Sequence, residues 1–162
     1  MNWASLYDMQ QKLDTYIIET HQLENESLFD ERMLALLVEL GELANETRCF
    51  KFWSHKKANE RDVILEEYVD NIHFILSLGL TTDFRYESKE AVQPINNSLT
   101  DQFVRCFTAC TVFNEKRSKE TYQAMFDSLL QIGLSLGFST TDIQQAYLKK
   151  NEINFKRQDD GY

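Results

Sequence analysis

The chain has 162 residues and a formal net charge of −9 at pH 7. This length is typical of a single domain that buries roughly 70% of its unfolded surface, so we expect one domain over residues 1–162. A polyanion such as DNA would be repelled on average, and no basic stripe offsets this, which excludes a nucleic acid polymer as partner. A small anionic ligand is still compatible with the charge, because a bound cation inverts the local field.

The composition favours helices and a cytoplasmic location. Only one proline and five glycines interrupt the chain, and the runs between them are rich in Leu, Glu, Gln, Lys and Met, which predicts an all-α fold. Three cysteines, an odd number, and the lack of an apolar N-terminal run behind a basic start argue against secretion, so we expect a cytoplasmic protein. No apolar stretch reaches the ~20 residues that span a bilayer, which excludes a membrane partner.

The first predicted helix runs from Trp3 to about His21, because its apolar residues recur at helical spacing. Gln10 falls on the apolar stripe. An amide there faces the interior or a pocket and needs hydrogen-bond partners, unless it lies at the edge of the stripe.

The segment 33–44 reads MLALLVELGELA, and apart from Gly41 its only non-apolar members are Glu39 and Glu42. A helix that is apolar on all sides is a buried helix. The next helix, predicted over about 60–79, also has a buried stripe that two acids interrupt. We therefore expect two buried helices that each carry a pair of carboxylates.

The rest of the chain alternates connections and helices. We predict that the basic, aromatic segment 48–61 is a helix end followed by a loop, and that 82–100 is a long polar connection, the least ordered part of the domain. Thr141 and Gln144 form a capping-box pattern at the start of a last helix through Lys149. Two further helices are predicted over 101–116 and 119–136, and a polar tail is predicted over 150–162.

The acids are informative because of where they lie. Glu39 and Glu42 are three residues apart, as are Glu67 and Asp70, so each pair projects from one side of its helix. Like charges in apolar surroundings raise each other's pKa, and the two stretches carry no Lys or Arg among their apolar residues. A basic partner would have to come from elsewhere. A hard divalent cation, Mg²⁺ or Mn²⁺, resolves the conflict better.

A single E-x-x-E pattern carries little information, because most glutamates lie on solvated helix faces. Two such pairs are more specific, since both sit in otherwise apolar helices of one expected antiparallel hairpin. Only 24 residues separate Glu42 from Glu67. The residues alone therefore favour a metal site over two solvated faces.

The sequence also resembles a known family. ELGE at 39–42 and EYVD at 67–70 resemble the signature of the all-α nucleoside triphosphate pyrophosphohydrolases. The chain is most similar to their dimeric dUTPase branch, and the likeness covers nearly the whole chain, with 82–100 the least supported part. Its further matching blocks are MQQKLD at 9–14, ETRCFKFW at 46–53, EEYVDNIHFILSLG at 66–79 and YLKKNEINFKRQDDGY at 147–162.

The resemblance implies a helical bundle of the all-α pyrophosphatase type, with a metal-binding helix pair at its centre. It implies a homodimer that hydrolyses dUTP, and also dUDP, to dUMP with Mg²⁺, releasing pyrophosphate or phosphate. Mn²⁺ is an alternative metal. Glu39, Glu42, Glu67 and Asp70 would be the metal ligands, and Glu39 would also be the catalytic carboxylate that orients the attacking water.

The resemblance further implies a set of substrate-binding residues. Gln10 would pair with the uracil edge, with Gln11 as the alternative, and aromatic side chains would wall the nucleoside, since their faces stack on bases. Cationic and amide side chains would hold the phosphates. The complete implied set is Gln10, Phe52, Trp53, Lys56, Lys150, Asn154, Arg157 and, closing the site, Tyr162. The alternative for the last four is a solvated chain end.

Two positions stay ambiguous. His73 lies one turn beyond Asp70. It either forms a hydrogen bond with a metal-ligating residue or is a buried core histidine whose hydrogen bonds are satisfied. Val38 stands where the family resemblance suggests a second glutamate, which leaves the number of metal ions open. Glu46 or Glu66 could supply the extra oxygen.

Two other functions compete with uracil nucleotide hydrolysis. The acid pairs recognise metal and phosphate rather than a base, so a broader pyrophosphohydrolase acting on dCTP or modified nucleotides fits them too. A helical dimer that binds a nucleotide or a protein partner without chemistry is the third reading. Gln or Asn at one of the four acid positions would have indicated such a lost site, and none is present.

Overall fold

The computed structural model describes residues 1–23, 27–88 and 96–161. The described residues contain helices and no strand, which confirms the predicted all-α class. None of these helices has both the length and the apolar character needed to cross a membrane. The six helices are α1 Trp3–His21, α2 Phe29–Thr47, α3 Arg61–Thr81, α4 Leu99–Glu115, α5 Lys119–Ser135 and α6 Thr140–Asp159.

Helix α3 is the centre of the bundle and packs against α1, α2, α5 and α6. Tyr68, Val69, Ile72 and Leu76 are completely buried, and Ile75 almost so. Each such side chain contributes about 1.5–3 kcal/mol when it leaves water, so α3 is fixed firmly in the core. Polar side chains on the same helix are therefore held in fixed positions facing its neighbours.

Helices α4 and α5 form a pair that closes the other side of the core. Phe113 and Phe126 are buried around Tyr122, whose hydroxyl lies 2.9 Å from the carbonyl oxygen of Ile75. The same hydroxyl lies 2.7 Å from that of Tyr7. This satisfied polar centre ties α1, α3 and α5 together within an aromatic core.

The last helix differs from the prediction at both ends. It is capped by Ser139, not Thr141, because the Ser139 hydroxyl accepts from the Asp142 backbone and the Asp142 carboxylate accepts from the Ser139 backbone. It also continues ten residues past Lys149, to Asp159. The Tyr16 hydroxyl donates to Asp159 at 2.6 Å, so packing against α1 maintains a segment whose local pattern is polar. The predicted tail is thus helical as far as Asp159.

Helix α2 is not buried on all sides in this chain, contrary to the prediction. Leu34 is 63% exposed and Val38 is 49% exposed. Among the described helices α2 packs against α3 and α4, so the apolar side chains opposite them have no cover within the chain.

The predicted connection between α3 and α4 is non-helical over the described residues 82–88 and 96–98, whereas its last two residues, 99 and 100, belong to α4. Its first part is well packed, because Tyr86 is buried and its ring stacks on Phe126 at 4.2 Å. Residues 89–95, including Pro94, lie outside the described residues.

A glycine in the core gives a direct test of this packing. A Cβ at Gly133 would lie 2.5 Å from the Tyr68 hydroxyl oxygen and 2.6 Å from its Cζ, whereas a Cβ at Gly41 meets nothing within 4 Å. We expect Gly133→Ala to lower the free energy of unfolding by about 1–3 kcal/mol through overpacking. Gly41→Ala, the matched control within α2, should leave it unchanged or raise it by up to about 1 kcal/mol. Denaturant unfolding measures both, and equal effects at the two positions would contradict the described core.

Candidate active site

A cavity of about 450 Å³ lies between α1, α2, α3 and α6. Its size is within the range of small-molecule sites, roughly 300–1,000 Å³. Residues from four helices, far apart in sequence, converge on it. Six of the predicted metal-binding and substrate-binding residues line this cavity: Gln10, Glu39, Asp70, Lys150, Asn154 and Arg157.

Three of the four predicted metal ligands come together beside the cavity. Glu39 on α2 and Glu67 and Asp70 on α3 each offer a carboxylate oxygen, and these oxygens lie within 4.8 Å of one another. Hard oxygen donors at this separation suit a divalent cation such as Mg²⁺. Glu42 is exposed and lies outside that group, although its charge helps to raise the pKa of both Glu39 and Glu67.

The carboxylates are held in an electrostatically unfavourable state. Burial raises the pKa of Glu39 from its ordinary 4.5 to about 7, and the negative charges of Asp70, Glu42 and Glu67 add to the rise. Burial is also the main reason why the pKa values of Glu67 and Asp70 are raised. A bound cation would relieve both desolvation and repulsion at this cluster.

A basic partner for the acids does come from elsewhere in the chain. The buried Lys150 on α6 places its Nζ 2.7 Å from Asp70 and 2.9 Å from Glu66. Burial lowers the pKa of Lys150, but its hydrogen bonds to Asp70 and Glu66 more than offset this, so the pKa is raised. Lys150 therefore stays charged, and its ammonium contacts the acids of the site.

Gln10 is buried, as its place on the apolar stripe predicted, and both its amide nitrogen and its amide oxygen have hydrogen-bond partners. Its Nε2 donates to Asp14 at 2.8 Å. Its Oε1 lies 2.8 Å from His73 Nδ1 and accepts from the Tyr147 hydroxyl at 2.8 Å. One amide thus joins α1, α3 and α6 on the wall of the cavity.

The partners of Gln10 form a network that the sequence did not reveal. Asp14 accepts from the Ser77 hydroxyl and lies 3.6 Å from Arg32. The only local signal was periodicity, since Asp14 and Ser77 lie four residues beyond Gln10 and His73. Periodicity places these residues on a face but does not indicate which helices meet there.

His73 is a neutral ring at the centre of this network. It stacks on Tyr147 with ring centroids 4.1 Å apart and 15° between the planes. Burial lowers its pKa to about 3, so the ring carries no charge near neutral pH. Its Nε2 has no hydrogen-bond partner among the described residues, and the residue lines the cavity.

The aromatic loop between α2 and α3 is not brought to the cavity within this chain. Phe52 is 94% exposed and Trp53 is 64% exposed, and neither lines the cavity, nor does the exposed Lys56. The loop is nevertheless anchored, because Arg48 donates to the Lys56 carbonyl at 3.0 Å. Tyr162, expected to close the site, lies outside the described residues.

The comparison with protein families agrees with the all-α architecture. A family model described as dUTPase matches residues 2–162, which is nearly the entire chain. No curated protein gives a significant match. The chain therefore belongs to the all-α dUTPase family and is a nucleoside triphosphate pyrophosphohydrolase.

Proposed function

We propose that the chain hydrolyses dUTP, and also dUDP, to dUMP in the cavity between α1, α2, α3 and α6. The observation that carries this proposal is the meeting of Glu39, Glu67 and Asp70 within 4.8 Å beside that cavity, in a chain that matches the dUTPase family. The acids supply the ligands that phosphate hydrolysis requires, and the cavity supplies room for a nucleotide.

The residues present fit Mg²⁺, with Mn²⁺ as its substitute. Glu39, Glu67 and Asp70 would hold the cation, with Glu42 joining from the rim. When bound, the cation lowers the pKa of a coordinated water and neutralises charge on the phosphate oxygens. Three carboxylates with raised pKa values support this assignment, since they lack enough positive charge within the chain.

Glu39 is the residue that we propose as catalytic. Its pKa of about 7 matches that of a carboxylate able to accept a proton from the attacking water near neutral pH. From its position on α2, close to Asp70 on α3, Glu39 would orient that water toward the phosphates. The charge distribution thus supports a role for Glu39 that differs from that of the other acids.

The other cavity residues would bind the remainder of the nucleotide. Lys150, Asn154 and Arg157 follow one another at spacings of four and three residues, so they share one face of α6 and can contact phosphate oxygens. Gln10 has a second Nε2 hydrogen besides the one donated to Asp14, and it would donate this hydrogen to a uracil carbonyl. Phe52, Trp53, Lys56 and Tyr162 would complete the nucleoside and phosphate sites.

We also propose that the active species is a homodimer located in the cytoplasm. The exposed Leu34, Val38, Phe52 and Trp53 would gain cover from a second copy, and large exposed apolar patches are typical of such interfaces. Size-exclusion chromatography with light-scattering detection should give a molar mass of twice that of one chain. A single-chain mass at micromolar concentration would reject the dimer.

The activity test is pyrophosphate release from dUTP with Mg²⁺. We expect Glu39→Gln to lower kcat by roughly 10²–10⁴-fold, since the amide cannot accept the proton of the water. Glu115→Gln, an exposed acid at the end of α4, is the matched control and should keep the wild-type rate. Full activity of Glu39→Gln would refute the proposed mechanism.

A panel of nucleotides tests the substrate. We expect dUTP and dUDP to be hydrolysed, the latter with release of phosphate, and dCTP to be a poor substrate. Equal turnover of dUTP and dCTP would instead favour a broader pyrophosphohydrolase.

The raised carboxyl pKa values predict a pH dependence of stability. Because the folded-state pKa of Glu39 is about 7 and its ordinary value is 4.5, the protonated form favours folding. Without metal, the melting temperature should therefore fall as the pH rises from 5 to 8. Mg²⁺ binds the deprotonated acids, so its stabilisation should grow over the same range.

Differential scanning calorimetry in EDTA and in Mg²⁺ measures both trends. Glu39→Gln should flatten the metal-free slope, because the substituted side chain does not titrate. A metal-free profile that rises from pH 5 to pH 8 in the wild type and is the same in Glu39→Gln would contradict the described cluster.

A further inference from the structure

The Gln10 amide has one orientation that fits its neighbours. A carboxylate only accepts hydrogen bonds, so the group 2.8 Å from Asp14 must be the amide nitrogen of Gln10. Burial raises the pKa of Asp14, but the hydroxyl of Ser77, Arg32 at 3.6 Å and the amide of Gln10 all oppose this rise and stabilise the carboxylate. Asp14 thereby directs the amide oxygen of Gln10 toward His73 and Tyr147.

This orientation determines where the histidine carries its proton. The amide oxygen is an acceptor, so His73 Nδ1, 2.8 Å away, must donate and carries the hydrogen. A neutral imidazole with a hydrogen on Nδ1 has a lone pair on Nε2. Asp14 thus fixes the tautomer of His73 through Gln10, without touching the ring itself.

The lone pair on Nε2 lacks a donor within the described residues. His73 is 4% exposed, and buried polar atoms of folded proteins nearly always have a partner. The residue lines the same cavity as Glu39 and Asp70. A ligand that enters this cavity is therefore the natural source of a hydrogen-bond donor.

We propose that His73 is a specificity-determining residue, whose Nε2 accepts a hydrogen bond from the N3–H of the uracil base. This rests on the proposed function. Uracil presents N3–H between two carbonyl oxygens, and the second Nε2 hydrogen of Gln10 suits one of these carbonyls. Cytosine has a bare ring nitrogen at the same position, so two acceptors would face each other and a cytosine nucleotide is rejected.

Nitrogen NMR of the full chain, labelled with ¹⁵N-histidine, reads the tautomer without nucleotide or metal. His73 is identified by the signals lost in His73→Phe. We expect a protonated, pyrrole-type Nδ1 and a bare, pyridine-type Nε2. A hydrogen on Nε2 in the wild type would overturn the proposal.

The same protein is then saturated with dUMP. The ¹⁵N chemical shift of His73 Nε2 should change as expected for a pyridine-type nitrogen that begins to accept a hydrogen bond. The analogue 2′,3′-dideoxyuridine monophosphate should cause the same shift, because it retains N3–H and lacks the 3′-hydroxyl. An unchanged Nε2 signal with dUMP, or a shift that requires the 3′-hydroxyl, would refute base recognition.

Kinetics separates specificity from a merely structural role. His73→Phe keeps a flat ring beside Tyr147 but has no acceptor, so kcat/KM for dUTP should fall roughly tenfold or more while that for dCTP does not fall. Equal losses for both nucleotides would indicate a structural role and overturn the proposal. If the wild type does not hydrolyse dUTP at all, the proposed function is wrong. The His73 tautomer in the free protein is measured independently of that activity.

Asp14→Asn tests the positioning role of Asp14. Its amide can also donate to Gln10, which permits the reversed amide of Gln10 and should give His73 a mixture of tautomers. The dUTP to dCTP preference should fall in parallel. Asp8→Asn, an exposed acid on the same helix, should change neither quantity. A single Nδ1–H tautomer in Asp14→Asn would show that Asp14 does not control the ring.

Discussion

The structure depends on a charge conflict between two packed helices. Glu39, Glu67 and Asp70 are drawn together because α2 and α3 bury their apolar faces against each other, and that burial is stronger than the repulsion it imposes. Lys150 offsets part of the negative charge through Asp70 but leaves Glu39 with a pKa near 7. Hydrophobic packing thus maintains an arrangement of acids that electrostatics alone would disperse.

The central helix α3 connects this conflict to the rest of the site. Asp70, His73 and Ser77 follow at spacings of three and four residues, so one face of α3 presents an acid, a ring and a hydroxyl in order. Gln10 and Asp14 on α1 complement that face. The acid cluster and the hydrogen bonds around Gln10 therefore share one rigid support, and they cannot shift independently.

The sequence predicted those features that depend on local pattern or on family likeness. The all-α class, most helix limits and the approach of Glu39, Glu67 and Asp70 follow from periodicity and from the spacing of charges within apolar runs, whereas Glu42 is exposed and lies outside that group. The helical tail and the Lys150–Asp70 pair were missed because they depend on residues 80 or more positions apart. The exposed face of Leu34 and Val38 was missed because composition indicates that a helix is apolar but not how many neighbours it has.

The unbroken course of α6 has a geometric consequence. One helix carries four contacts of the site at successive spacings of three, four and three residues. Tyr147 stacks on His73, Lys150 contacts Asp70, and Asn154 and Arg157 are the proposed phosphate contacts. At 1.5 Å per residue, the helix spans about 15 Å from the first to the last of them. The two proposed phosphate contacts would therefore limit the length of the nucleotide that the site accepts. Inserting or deleting a single residue within α6 would rotate every later side chain by about 100° about the helix axis and move it away from its partner.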